Sequence, residues 1–292
     1  IAFGREHGLE VTRADRFVAT TWWTAHVAEA ARRELGGPPF VYLVQEYEPF
    51  TFPQSTWGAL AEQSYRFEHR ALFSTELLQE WFAAQGIGAA ESAAFRNAIT
   101  PVAPAASLGS RAARRLLFYA RPEPHAARNL FELGMLALGS VAADGVLDGW
   151  EVRGIGTSAL GRRLPLGAGV TLELLPRAPQ AEYGRRLAEH DVGLALMHTP
   201  HPSLVPLEMA SAGLVTVTST FANKTAAALR ALSPNVIGVE PTIDAVAAAL
   251  ADAVGRSEDV AARVAGAAVD WPTDWAAALP DALLARVEGW LA

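Results

Sequence analysis

The sequence contains no cysteine, which removes disulfides and thiolate metal sites and is compatible with a cytosolic protein. No apolar run approaches the roughly 20 residues of a membrane span. Positive charge is in deficit: 24 Lys and Arg stand against 31 Asp and Glu, giving a formal net charge of −7 and a pI near 5.5. No global basic field is available to hold nucleic acid, so any phosphate must be met by local arginines. Several chemical signatures are missing too. The chain has no G-x-G-x-x-G, no G-x-x-x-x-G-K-[ST] and no G-x-S-x-G, which disfavours dehydrogenases, P-loop phosphotransferases and α/β-hydrolases. Asp-x-Asp is absent, with Glu46-Tyr47-Glu48 as its nearest approach, and His198 and His201 lack an acidic partner at ligand spacing. No metal site is expected.

What the chain does have is ample apolar mass, 51% of 292 residues, enough for two cores and hence two domains. Apolar runs and helical periods alternate along it. The runs Arg16–Thr20, Phe40–Val44 and Ala71–Ser74 read as strands in the first half. Helices are expected from Thr20 or Thr21 to Leu35, closed by Gly36-Gly37, over Thr56–Phe67, and after Thr75. Thr100–Ser110, rich in Pro, Ala, Ser and Gly, reads as a linker. Six strands follow: Leu116–Ala120, Trp150–Ile155, Val170–Leu174, Val192–Met197, Val215–Thr218 and Val236–Val239. Helices between them are predicted over Ala126–Ala143, Ala181–Glu189, Val205–Ala212, Lys224–Leu232, Thr242–Val254 and then Ser257–Ala268. This is the pattern of an α/β protein with a doubly wound parallel sheet. The predicted domains are 1–106, 107–271 and a tail helix, 272–292, that packs back on the first domain through Leu283, Leu284, Val287 and Leu291.

Open parallel sheets bind ligands beyond the carboxyl ends of their strands, so the segments there carry the candidate chemistry. His201–Gly213 lies between two such strands and offers Glu208 near a helix start, with Ser203 and Leu204 just before it. Backbone N–H groups at that start attract phosphate, and the glutamate can accept from ribose hydroxyls. An ordinary crossover helix with a solvated Glu208 remains the bland alternative. Arg121, at a strand end, and Arg128, near the next helix, are placed to meet one anion and neutralise a diphosphate. Loop arginines without a ligand are the alternative there. The polar cluster from Gln45 to Glu48 past the second strand is a further candidate, against an exposed acidic turn.

PSLVPLEMASAG with Glu208, the ARP…RN turn with Arg121 and Arg128, FANKT, and in the first half ATTWWTAH, YLVQEYEPF and YRFEHRALFST together resemble GT-B glycosyltransferases of the family 4 type. The likeness is to the WsaF-like bacterial rhamnosyltransferases and runs from about residue 15 to 254. It implies two Rossmann-like domains facing a cleft, the first lacking its opening strand and glycine-rich loop. It implies donor-diphosphate contacts from Arg121 and Arg128, a ribose contact from Glu208, and Lys224 nearby. The first glutamate of the family's Glu-x7-Glu pattern falls at Pro200, a departure that suits a deoxysugar donor such as dTDP-rhamnose. Glu46 is the first candidate for a catalytic base and Glu48 the second. The implied activity is metal-independent transfer of a sugar from a nucleotide sugar to a glycan or lipid-linked glycan acceptor. It would occur in the cytoplasm or at the inner face of the membrane, with no nucleic acid partner and no cofactor. A nucleotide-sugar epimerase and a donor-binding half without activity stay open as alternatives.

Overall fold

A computed structural model describes the chain apart from residues 1–7, 9, 53, 158–161 and 177. It divides into two compact units, Ile1–Phe95 with Leu279–Ala292, and Arg96–Ala278.

In the first unit β1 (Val18–Ala19), β2 (Phe40–Val44), β3 (His69–Phe73) and β4 (Glu91–Ala94) form a parallel sheet in that order. They alternate with α1 (Trp22–Leu35), α2 (Thr56–Ser64) and α3 (Glu76–Ala84). Each helix starts where a hydroxyl satisfies an orphan N–H. Ser55 Oγ accepts from Gly58 N at 3.3 Å, and Thr75 Oγ1 from Leu78 N at 3.1 Å. At α1 the Thr21 N–H donates to Thr24 Oγ1 at 3.0 Å, and Gly36 ends the helix in the left-handed region at φ 66°. β4 was not predicted, because Glu91-Ser92-Ala93-Ala94 has no apolar run to announce a strand.

The second unit carries β5 (Arg114–Tyr119), α4 (Phe131–Ala143), β6 (Trp150–Ile155), β7 (Arg163–Gly167), β8 (Val170–Leu174), α5 (Gln180–Ala188) and β9 (Val192–Leu194). It continues through α6 (Val205–Ser211), β10 (Val215–Ser219), α7 (Ala226–Leu232), β11 (Val236–Val239), α8 (Ile243–Arg256), α9 (Val260–Gly266) and α10 (Trp275–Ala278). The sheet order is β11-β10-β9-β5-β6-β8-β7, parallel throughout except for the β7–β8 hairpin. Without that hairpin edge it is the doubly wound order, with its switch point between β5 and β9. Side chains alternate across the sheet. Leu116, Phe118, Leu194 and Val217 pack with Leu138, Val141, Val246 and Leu250 on one face, while Leu117, Ala195 and Met209 form the other core. Gly193 permits the close approach of α6: a Cβ there would lie 2.8 Å from Met209 Sδ. β7 escaped prediction because Pro165 interrupts it, tolerable only at a sheet edge.

Several predicted boundaries move. The stretch around 100 belongs to the second unit, because Ile99 N–H donates to Pro272 O (3.0 Å), Trp271 Nε1 to Asn97 O (2.7 Å) and Val102 N–H to Ser211 Oγ (3.0 Å). Residues 97–102 are therefore pinned, and the division falls at 95/96 instead of 106/107. The predicted helix Ala126–Ala143 breaks into a 3-10 turn, Pro124–Asn129, and α4, with Leu130 left-handed between them at φ 51°. The last helix, α11 (Asp281–Leu291), covers the first sheet. Its Trp290 is buried with Val41, Leu72, Ala93 and Phe95, and donates through Nε1 to Glu91 Oε2 at 3.0 Å. Leu284, expected on that buried face, is 42% exposed, and Trp290 fills the space. Among the described residues no helix is long and apolar enough to cross a membrane.

His190 is fully buried beside the start of β9, its Nδ1 hydrogen-bonded to Arg186 O at 2.7 Å. Burial, with Arg153, Arg115 and Arg111 nearby, pushes its pKa down to about 4. The unfolded chain therefore takes up this proton near pH 6.5 and the folded chain only near pH 4, so stability falls as pH drops through that window. The loss from this one group is about 3 kcal/mol at the acid end. His190→Gln should flatten the decline in unfolding free energy between pH 6.5 and 4, as measured by urea titration. Parallel slopes for the two proteins would remove His190 as the cause.

Candidate functional site

β5, β6 and β8 end at a cavity of about 300 Å³ lined by Tyr119, Arg121, Ile155, Gly156, Pro176, Ala178, Tyr183, Arg186 and Val205. The place follows in part from the winding: β5 flanks the switch point, where crossover helices leave in opposite directions, and β6 and β8 continue the sheet on the side away from β9. Arg121 follows the last inward residue of β5 and folds along Tyr119. Its NH1 donates to the Tyr119 hydroxyl at 3.2 Å and its Nε to Glu123 Oε2 at 3.0 Å. Burial works against the guanidinium charge, and those two partners overcome it, holding Arg121 above its ordinary value. Gly156 completes the wall at φ +102°, where a Cβ would sit 2.6 Å from the Tyr119 ring and 3.0 Å from Arg121 Cδ. Gly156 is therefore a packing requirement of the cavity, while Gly154 packs against Leu174 in the core beneath it.

Helix α5 supplies the opposite wall with Tyr183 and Arg186, three apart and so on one face. Arg186 donates to Glu182 at 3.2 Å and to Pro176 O, which ties the β8–α5 loop to the helix. The Tyr183 hydroxyl is hydrogen-bonded to Glu208, whose Oε1 also accepts from Thr100 N at 3.4 Å. Burial raises the Glu208 pKa above the usual carboxylate value, opposed by the Thr100 and Tyr183 donors. Burial and then Glu208 push the Tyr183 phenol upward. Glu208 is thus joined to a wall of the cavity through one hydroxyl. Tyr119, Tyr183 and Arg186 were not singled out from the sequence. The only available signal was the Tyr183/Arg186 spacing on a helix that leads away from a strand end.

Arg128 lies on the same turn as Arg121, and both donate to one residue: Arg121 NH2 contacts His125 Nε2 and Arg128 NH1 contacts His125 O, each at 3.3 Å. The Arg128 carbonyl accepts from His198 N at 2.8 Å, so the loops after β5 and β9 meet there. His201 is buried, with Nδ1 accepting from Ser203 N at 3.0 Å. Burial, Lys224 and Arg128 depress its pKa to about 3, keeping the ring neutral. Ser203 (φ 65°) precedes Leu204, the cap of α6. Among the described residues four non-glycine positions lie in the left-handed region: Ser203, Leu130 (φ 51°) and Ala222 (φ 46°) in the loops after β9, β5 and β10, and Ala168 (φ 48°) in the β7–β8 hairpin. Backbone strain of this kind gathers where surrounding structure over-determines a loop.

Lys224, expected near the donor contact, is engaged by the fold. It is wholly buried, and its Nζ donates to Met197 O at 2.6 Å and His201 O at 3.4 Å. A compact ammonium suits carbonyl oxygens, and here it clamps the loop that carries His198 and His201. The carboxylates expected to act as base lie in the first unit and are engaged by the fold. Glu48 Oε2 accepts from Trp22 N at 2.6 Å, at the positive end of α1, and from the Tyr42 hydroxyl at 3.1 Å. Glu46 is buried and accepts from Tyr47 N at 3.1 Å. Among the described residues no group of three or more His, Asp or Glu is placed to hold a metal ion.

Family models for the two domains of WsaF match this chain in order, the N-terminal domain over residues 4–76 and the C-terminal domain over 114–251. The O-antigen biosynthesis protein RfbC of Myxococcus xanthus is 33% identical over 256 residues, which are 83% of this chain and 18% of that protein. The chain thus spans about a fifth of that relative's length. Sucrose-phosphate synthase from Thermosynechococcus elongatus is similar in fold, at 12% identity and TM-score 0.66, over 94% of this chain and 74% of the other. Anabaena HepE, solved in complex with UDP-glucose, gives 14% and 0.66 over 93% and 78%. TarM gives 7% and 0.65 over 96% and 55%.

The assignment of Glu48 to the fold has a direct check. Glu48→Ala leaves the Trp22 N–H and the Tyr42 hydroxyl without their acceptor, at a cost of about 1–3 kcal/mol. Thermal unfolding should show a lowered midpoint with nucleotide binding unchanged. An unchanged midpoint accompanied by lost turnover would make Glu48 a catalytic group instead.

Proposed function

The chain belongs to the WsaF family and has the fold of the GT-B glycosyltransferases, and from that premise we propose that it transfers a sugar from a nucleotide-sugar donor to a bacterial surface glycan. The observation that carries this reading is the cavity at the ends of β5, β6 and β8, with aromatic walls from Tyr119 and Tyr183 and cations from Arg121 and Arg186. A nucleoside suits the aromatic part, and the diphosphate suits the guanidiniums. Glu208, beside Tyr183, is the acceptor for ribose hydroxyls. HepE binds UDP-glucose on a similar fold, and RfbC is an O-antigen biosynthesis protein; both support the class of donor and product. Pro200 at the position of the family's first glutamate favours a deoxysugar, and dTDP-rhamnose is the donor we propose.

Transfer leaves negative charge on the departing nucleotide diphosphate. Preorganised cations offset that charge without needing to reorganise during the reaction. Arg121 and Arg128, fixed on His125, would serve in that role, so the donor should bind without a divalent ion. Affinity measured calorimetrically in EDTA and in magnesium should agree, and a tenfold loss in EDTA would refute metal independence. A panel of dTDP, UDP and GDP sugars identifies the donor, with dTDP-rhamnose expected to bind most tightly.

Arg121→Ala should weaken nucleotide-sugar binding roughly ten- to a hundredfold, the equivalent of about 1.5–3 kcal/mol for a charged hydrogen bond. It should barely affect the bare nucleoside. Glu208→Ala should weaken both, because it faces the ribose. Equal losses of nucleoside and nucleotide sugar in Arg121→Ala would show that the guanidinium does not meet the diphosphate.

A further inference from the structure

The first unit has a second, larger recess that plays no part in the donor site. It measures about 640 Å³ and lies between α2 and α3, with Tyr47, Phe50, Tyr65 and Trp81 as its aromatic side and Glu62, Arg66 and Gln85 as its polar side. The aromatic side is one packed cluster that faces the recess chiefly through Tyr47 and Phe50: Tyr47 stacks on Tyr65 at 5.5 Å between centroids, and meets Trp81 at 4.9 Å and Phe50 at 4.8 Å. Tyr65 and Trp81 are buried and fixed, whereas Tyr47 is half-buried and Phe50 is 38% exposed. Glu62 lies in the last turn of α2, Arg66 between α2 and β3 and Gln85 between α3 and β4, whereas Tyr47 and Phe50 follow the carboxyl end of β2.

The charges of the recess decide its ligand. Glu62 and Arg66, one helical turn apart, pair at 2.7 Å. Among the described residues they are the charged groups lining it, and their charges cancel. An excess of guanidinium would favour phosphate, and an excess of carboxylate a cation. Rigid aromatic faces beside a neutral set of planar donors and acceptors match a pyranose, whose C–H face is apolar and whose rim carries hydroxyls. We propose that this recess binds a neutral oligosaccharide stretch of the glycan on which the enzyme acts, away from the reacting end. The identity of the glycan rests on the function proposed above; the binding of a neutral oligosaccharide does not.

The test uses the full chain and maltohexaose, cellohexaose and a rhamnan hexamer as probes, with saturation-transfer NMR titrations. At least one should bind at millimolar concentration without nucleotide, and Phe50→Ala/Arg66→Ala should lose at least fivefold in affinity while nucleotide-sugar binding is kept. Gln85→Ala, an exposed position, should lose binding in the same direction and serves if the double variant does not fold. No binding of any probe, or equal binding by the variants, would overturn the proposal. Nucleotide-sugar titration of the same samples reports on the donor site separately, so failure of one reading is distinguishable from failure of the other.

Discussion

Asp191 sets the geometry on which the cavity at the ends of β5, β6 and β8 depends. It stands immediately before β9, its own N–H donating to Arg115 O at 2.8 Å and its Oδ2 accepting from Arg115 N at 3.0 Å. Oδ1 takes Arg111 at 2.8 Å and Arg263 at 3.1 Å, and Arg263 is itself 1% exposed. One carboxylate thereby fixes β5 against β9 across the switch point, in the register Leu116↔Val192, Leu117↔Gly193 and Phe118↔Leu194. A slip of one residue would exchange the faces of Leu117 and Phe118 and carry Tyr119 away from the cavity. The network is costly to break, because removing either partner of a buried ion pair leaves a charge uncompensated, at about 3–5 kcal/mol.

The parts of this arrangement that were legible in the sequence are those governed by local chemistry. Phe40–Val44 and Val236–Val239 become strands at their expected limits because continuous apolar runs have no other way to be buried in a parallel sheet, and Trp150–Ile155 does so through the alternation of Trp150 and Val152 with Glu151 and Arg153. Thr75 and Thr242 cap helices because a hydroxyl before a helical period satisfies an N–H wherever the helix lies. The place of Arg121 just past a strand end, beside the cavity, was legible because it follows from the winding, whereas Glu208, inside α6, reaches that cavity only through Tyr183. Asp191 was not legible. Its partners lie 72, 76 and 80 residues away in sequence, and no local pattern connects them.

Direction is the other thing a sequence conceals. Glu48 and Lys224 were recognisable as charges next to strand ends, and such charges are equally suited to ligands and to the fold. In each case a nearby orphan backbone group decides. The first N–H of α1 attracts Glu48, and the carbonyls of Met197 and His201 attract Lys224. Lys224 is the only lysine in the chain, where every other base of this kind is arginine. Its ammonium is a compact point charge that meets two carbonyls of one loop, whereas the planar guanidinium of buried Arg263 spreads its donors over Gly213 O, Ser257 O and Asp191. The loop after β9 is held by that choice, and with it the neutral His201 and the left-handed Ser203.

The cations of the donor cavity are paired before any ligand arrives, Arg121 with Glu123 and Arg186 with Glu182. In a chain of net charge −7 this has two consequences. The carboxylates hold the guanidiniums in their working positions, so less side-chain freedom is lost on binding. They also compete with the ligand, and a singly charged anion offers too little to displace them. A diphosphate offers two charges and several oxygens in bidentate geometry, enough to take over the guanidinium hydrogen bonds from the carboxylates. Under the proposed function, selectivity for a nucleoside diphosphate over common small anions would arise from the acidic residues as much as from the basic ones, a discrimination by competition that the basic residues alone would lack.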